Sequence, residues 1–119
     1  MFAQQTAIQY KESGIKHYRK KNYHAAIEQF TFAIELDKKM ADAYIYRGIA
    51  KDAIDEFNSA ISDFTIARQL DSNDVFVYVE RAKTFMNLKE YEAAEQDFLK
   101  VTQLRPNSRD AEEAWETLA

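Results

Sequence analysis

Apolar side chains recur along this chain at helical spacing, and the helical pattern itself recurs at a longer one. From Tyr23, steps of three, four, seven, ten and thirteen residues reach Ala26, Ile27, Phe30, Ala33 and Leu36. Those steps mark one face of a helix, which turns once in about 3.6 residues. Moving along by 34 residues repeats the pattern. Tyr10, Tyr44 and Tyr78 form one column; Gly14, Gly48 and Ala82 form the next. Tyr23, Phe57 and Tyr91 follow, then Ala26, Ala60 and Ala94, then Phe30, Phe64 and Phe98. Ala33, Ala67 and Val101, and finally Leu36, Leu70 and Leu104, close the unit.

Each column has a packing role. Tyr10 and Gly14 stand four apart, one turn along an earlier helix. Small residues at Gly14, Gly48 and Ala82, set opposite Ala26, Ala60 and Ala94, let two helix backbones approach, and the Phe column fills the space left. Each unit is therefore a hairpin of antiparallel helices. Helices are predicted at about 4–20, 24–37, 41–54, 57–71, 75–88, 91–104 and 108–119. Asn73-Asp74 and Asn107-Ser108 offer caps to the helices that follow. Val75-Phe76-Val77-Tyr78-Val79 has strand propensity. The repeat places it at a helix start, and the repeat decides.

This pattern resembles the tetratricopeptide repeat family: aromatic, small, aromatic, Ala, aromatic, Ala and a late Pro over 34 residues. Residues 7–40, 41–74 and 75–108 carry it. Pro106 holds the late Pro position, where Lys38 and Ser72 stand in the earlier copies. His17 and Lys51 depart from an aromatic column that Phe85 keeps, which should weaken local packing. The resemblance implies an all-α fold, an α-solenoid of three antiparallel hairpins, with residues 109–119 as a closing, solvating helix. That helix should lay Trp115 against the helix of residues 91–104 and turn its acids to water.

Composition narrows the function. The 119 residues are one domain's worth, with a net charge of −4 and no cysteine. An acidic chain is not a dedicated nucleic-acid binder, and without thiols there is no disulfide or thiolate metal site. No apolar run approaches the ~18–20 residues of a membrane span. Met1-Phe2-Ala3-Gln4-Gln5 lacks the order of a signal peptide, so the expected location is cytoplasmic, with no membrane partner. The basic segment Lys16-His17-Tyr18-Arg19-Lys20-Lys21 is the one stretch that could touch RNA. It is read as a solvated helix end, where cations suit the helix dipole.

Nothing reads as catalytic. His17 and His24 are isolated, the two glycines are spent on packing, and no serine has a His–acid pattern beside it. The chain is expected to be no enzyme and to need no cofactor or metal. Arg47 with Asp63, and Arg81 with Asp97, share a spacing of sixteen; the first copy has Ser13 and Gln29 instead. An ion pair inside each later hairpin is predicted, partly exposed and worth ~1 kcal/mol or less.

By resemblance, the first helix of each hairpin lines a concave face where partners bind. Its candidate residues are Ile8, Lys11, Ile15, Ile45, Tyr46, Ile49, Phe76, Val79, Lys83 and Met86, with Glu12, Tyr18, Arg19, Asp42, Asp52, Glu80 and Asn87 among them. None belongs to a packing column, and an apolar patch unexplained by packing marks an interaction site. The expected partner is a protein that lays an apolar-rich peptide or helix in this groove; the alternative is a self-associating structural segment of a longer repeat array, or a homo-oligomer. Members of the family that bind heat-shock chaperones hold the terminal carboxylates with Lys, Asn and Arg. Those positions fall here on Lys11, Ile15, Tyr46, Phe76 and Glu80, and only Lys11 keeps the type. The carboxylate tails of heat-shock chaperones are therefore not expected as partners.

Overall fold

A computed structural model describes residues 2–105 and 116–117. Six α-helices follow one another: α1 (Phe2–Arg19), α2 (Tyr23–Leu36), α3 (Ala41–Ala53), α4 (Phe57–Leu70), α5 (Val75–Asn87) and α6 (Tyr91–Leu104). Every boundary lies within about two residues of the one the spacing predicts. Residues 75–79 are helical despite their strand propensity, and Asp74 caps them by accepting from the Phe76 N–H at 3.1 Å. The Asn107-Ser108 cap, Trp115 and most of the closing helix lie outside the described residues; Glu116 and Thr117 are helical.

Each hairpin turns by the same device. Lys21, Asp55 and Lys89 adopt left-handed φ values of 63°, 64° and 62°. The next residue's N–H reaches five residues back: Asn22 to the His17 carbonyl, Glu56 to Lys51 and Glu90 to Phe85, each at 2.9 Å. This is the Schellman closure, usually made by glycine. Between hairpins, Asp37 and Asp71 each accept from the backbone N–H two residues on. The Tyr44 and Tyr78 hydroxyls then donate to the carbonyls of Lys38 and Ser72, at 3.2 and 2.9 Å. The Tyr column thus staples the loop where the family's proline is missing.

Phe30, Phe64, Ala26, Ala60, Ala33, Ala67 and Val101 are fully buried, and Phe98 and Ala94 nearly so. A Cβ on Gly14 or Gly48 would stand 2.5 or 2.7 Å from the ring of Phe30 or Phe64, so the Phe column fills the space that glycine opens. One expectation about packing changes. Leu36 and Leu70 end their helices exposed, and only Leu104 of that column packs against a core cluster.

The predicted ion pairs form, with a different character. Arg47 donates twice to Asp63, at 2.7 and 2.8 Å, and Arg81 does the same to Asp97. A third bond reaches the preceding hairpin: Arg47 to Thr31 Oγ1 and Arg81 to Thr65 Oγ1, both at 3.2 Å. Asp63 and Asp97 are 2% and 4% exposed, so these pairs belong to the core and not to a half-wet surface. Removing one member would strand a buried charge, at a cost of about 3–5 kcal/mol. The hydrogen bond from Arg81 to Asp97 raises the guanidinium's pKa despite its burial. Lys51, in the column where the family has an aromatic, places its ammonium 3.0 Å from Asp63 as a second cation. In the third hairpin Phe85 takes that position and lies under the Arg81 guanidinium, 5.7 Å away.

Candidate functional site: the concave groove

The curvature follows from which helices meet. Each helix packs on the next in sequence; α1 also touches α3, and α3 touches α5, while α2 and α4, and α4 and α6, do not meet. The odd-numbered helices are drawn together and form the inner, concave side.

Along that side the candidate residues separate into three groups. Ile8 and Phe76 are 49% and 48% exposed and share one column with Asp42, forming an open rim. Lys11 bridges α1 to α3 through Asp42 at 2.8 Å. Ile15, Tyr46 and Ile49 are half-buried and form the floor, Tyr46 stacking on Phe30 with ring centres 5.8 Å apart. Lys83 and Met86 are exposed on α5. Ile45 and Val79 differ: at 6% and 5% exposure they sit inside core clusters and line no open surface. Helices α3 and α5 bury two faces, one on their own partner and one on the hairpin before, and the consensus columns mark only the first.

The floor is also polar. Tyr18 of α1 has its phenol pKa pushed up, first by burial and then by Tyr23, Glu80, Asp52 and Tyr46. Groups from α1, α3 and α5 thus converge at one place, with two carboxylates among them. Thr84 is the residue the pattern missed. It is 1% exposed and stands in a column with buried Ala50, where a hydroxyl is out of place unless it has a partner. That partner is Asp52 Oδ1, 3.0 Å away.

His24 is exposed, and His17 is half-buried with Nδ1 lacking a hydrogen-bond partner. Among the described residues no group of three or more His, Asp or Glu is placed to hold a metal ion. No helix among them is long and apolar enough to cross a membrane. Lys16, Arg19, Lys20 and Lys21 are exposed at the end of α1.

A family model described as tetratricopeptide repeat matches residues 77–108. No curated protein matches the chain in sequence. Among solved structures, the Arabidopsis OM64 TPR domain is 28% identical over 98% of this chain and 96% of its own, with a TM-score of 0.90. The second TPR domain of human RPAP3, in complex with the HSP70 peptide SGPTIEEVD, is 27% identical over 97% and 96%, with a TM-score of 0.89. The second TPR of Spaghetti (RPAP3), bound to the HSP90 peptide SRMEEVD, is 30% identical over 88% of this chain and all of its own, with a TM-score of 0.81.

These structures overturn the expectation that chaperone tails are excluded. Domains similar to this one over nearly their whole length hold peptides ending in EEVD. The exclusion weighed side-chain donors at Lys11, Ile15, Tyr46, Phe76 and Glu80 alone. Such a peptide also carries a backbone and apolar side chains: Met and Val in one, Pro, Ile and Val in the other. Apolar residues in a groove lose carboxylate contacts and gain apolar ones, so five positions do not decide the balance. With the periodicity, the paired helices and these likenesses together, the chain belongs to the tetratricopeptide repeat family.

Proposed function

We propose that this chain is a protein-interaction module whose concave groove holds an apolar-rich peptide segment of a partner protein. The carrying observation is the rim and floor of the groove: Ile8, Phe76 and Met86 stay 36–49% exposed on the inner side, beside half-buried Ile15, Tyr46 and Ile49. Side chains of this kind, left open in a concave surface, are what peptide anchors pack against. On this reading residues 7–40, 41–74 and 75–108 act as one binding unit closed by 109–119. The peptides SRMEEVD and SGPTIEEVD, held by similar domains, are the first ligands to try.

The test is a titration of both peptides, together with capture of partners from native lysate, using wild type and an Ile8→Glu/Phe76→Glu variant. Both positions are about half exposed, so the variant should keep its helicity. Binding by the wild type that falls at least tenfold in the variant supports the groove. Equal binding by both proteins moves the site elsewhere. A dimer in sedimentation that the same variant dissolves would make a second copy the occupant.

A further inference from the structure

At one end of the groove a cleft of about 620 Å³ opens between α5 and Glu116–Thr117. Its exposed apolar wall is Met86, with the edge of buried Phe98 behind it; its polar lining includes Asp52, Asn87, Lys83 and Glu116. Asp52 is held in place before any ligand arrives. Its Oδ1 accepts from Asn87 Nδ2 at 3.2 Å and lies 3.0 Å from the Thr84 hydroxyl, whose proton also has the Glu80 carbonyl within reach at 3.1 Å. The partners that fix this carboxylate are neutral. Asp42, Asp63 and Asp97 each stand against a Lys or Arg, whereas the side chains bonded to Asp52 are Thr84 and Asn87.

Asp63 and Asp97 show how this chain treats a carboxylate it uses for folding: each receives a bidentate guanidinium. Asp52 is as carefully oriented but faces open space beside an apolar wall. That combination matches a side chain with a long aliphatic stem and a cationic, planar head. We infer that the cleft receives an arginine side chain of the bound peptide, its stem along Met86 and its guanidinium on Asp52 and Glu116. This subsite rests on the reading of the groove as a peptide site. Lys83 opposes the incoming charge and sets a limit on affinity. The nearby Tyr18 phenol has its pKa raised first by burial and then by Tyr23, with Glu80 and Asp52 adding to it.

The experiment uses the full chain, labelled with ¹⁵N, and two probes: N-acetyl-arginine methylamide and its neutral citrulline isostere. Saturable shifts are expected at the Asn87 side-chain amide and the Thr117 backbone amide with arginine and not with citrulline. Asp52→Asn, which keeps the acceptor for Asn87, and Glu116→Gln should each weaken arginine binding by about fivefold, and Lys83→Gln should strengthen it. Absence of saturable shifts, equal shifts with citrulline, or affinities unchanged in both acid variants overturns the inference. The capped amino acid fills the cleft alone, so such a failure alongside intact binding of SRMEEVD leaves the groove reading standing. Arginine shifts with no peptide bound by the groove would support the cleft and remove the larger reading.

Discussion

The first hairpin and the two that follow share a backbone but not a polar core. In α3–α4 and α5–α6 a buried Arg–Asp pair crosses the hairpin and reaches a threonine of the hairpin before. In α1–α2 the same positions are Ser13 and Gln29. There a Tyr10–Phe32 ring contact at 5.2 Å and the close fit of Gly14 against Phe30 accompany the shared aromatic columns. Closing a hairpin therefore needs only the aromatic and small columns. The ion pair adds a link to the neighbouring hairpin, and its partner threonine makes it specific to one register.

The comparison breaks most visibly at Asp63. Asp63→Ala strands both Arg47 and Lys51, and should cost about 3–5 kcal/mol in urea unfolding. Gln29→Ala, its counterpart in the first hairpin, should cost less than about 1 kcal/mol. Equal losses would show that the pair does nothing the first hairpin lacks. Asp97→Ala strands one cation instead of two and should fall between them.

Glycine provides the next largest contrast. Gly14→Ala and Gly48→Ala push a methyl into a fully buried ring, an overpacking cost of about 1–3 kcal/mol offset by about 1 kcal/mol of helix propensity. A net loss is expected by thermal melting, larger at Gly14, where the fit is tighter and Tyr46 stacks on the ring. The third hairpin already carries Ala82, fully buried, so Ala82→Gly should lose about 1 kcal/mol of helix propensity and about 1 kcal/mol more for the buried methyl.

The turns should respond alike in all three hairpins. Lys21→Gly, Asp55→Gly and Lys89→Gly each relieve a left-handed side-chain residue, and each should gain up to about 1 kcal/mol after the entropy of glycine is subtracted. Unequal gains would show that the turns are less equivalent than their shared φ values suggest.

The smallest effect is one of pH. The folded-state pKa of Tyr18 lies above its ordinary 10.0, so the protonated phenol is favoured by folding. That stability is fully present below pH 10, and declines as pH rises through the ordinary value toward the raised one. Tyr18→Phe should flatten this decline in a series of alkaline melts. An unchanged slope would place the loss on another group.

Most of the fold was legible because helix packing leaves a periodic trace. Seven columns at a spacing of 34 located six helices, and the sixteen-residue spacing of Arg and Asp located their ion pairs. What spacing cannot carry is accessibility. It took Arg47–Asp63 for a half-wet pair and Ile45 and Val79 for groove residues, because burial against a neighbouring hairpin has no column in the consensus. The turn residues were illegible for a different reason: Lys and Asp at left-handed φ look like any polar loop residue. The orientation of Asp52 depends on Thr84 and Asn87 from another hairpin, a conjunction that one-dimensional spacing does not display.

The contact of odd helices with odd, and the separation of even from even, also gives the array a mechanical character. It is a leaf spring fastened along one edge. On the inner edge α1 is tied to α3 by Lys11–Asp42, and α3 to α5 by the Thr84 and Asn87 contacts with Asp52. On the outer edge α2, α4 and α6 have no mutual contacts to strain. Unbending this spring would break the part-exposed Lys11–Asp42 pair, worth about 1 kcal/mol or less, and the bonds of Asp52 to buried Thr84 and to Asn87. Curling it tighter would compress the side chains of the inner edge. The array is thus held against opening by those polar links along one edge, and against closing by the side chains packed there.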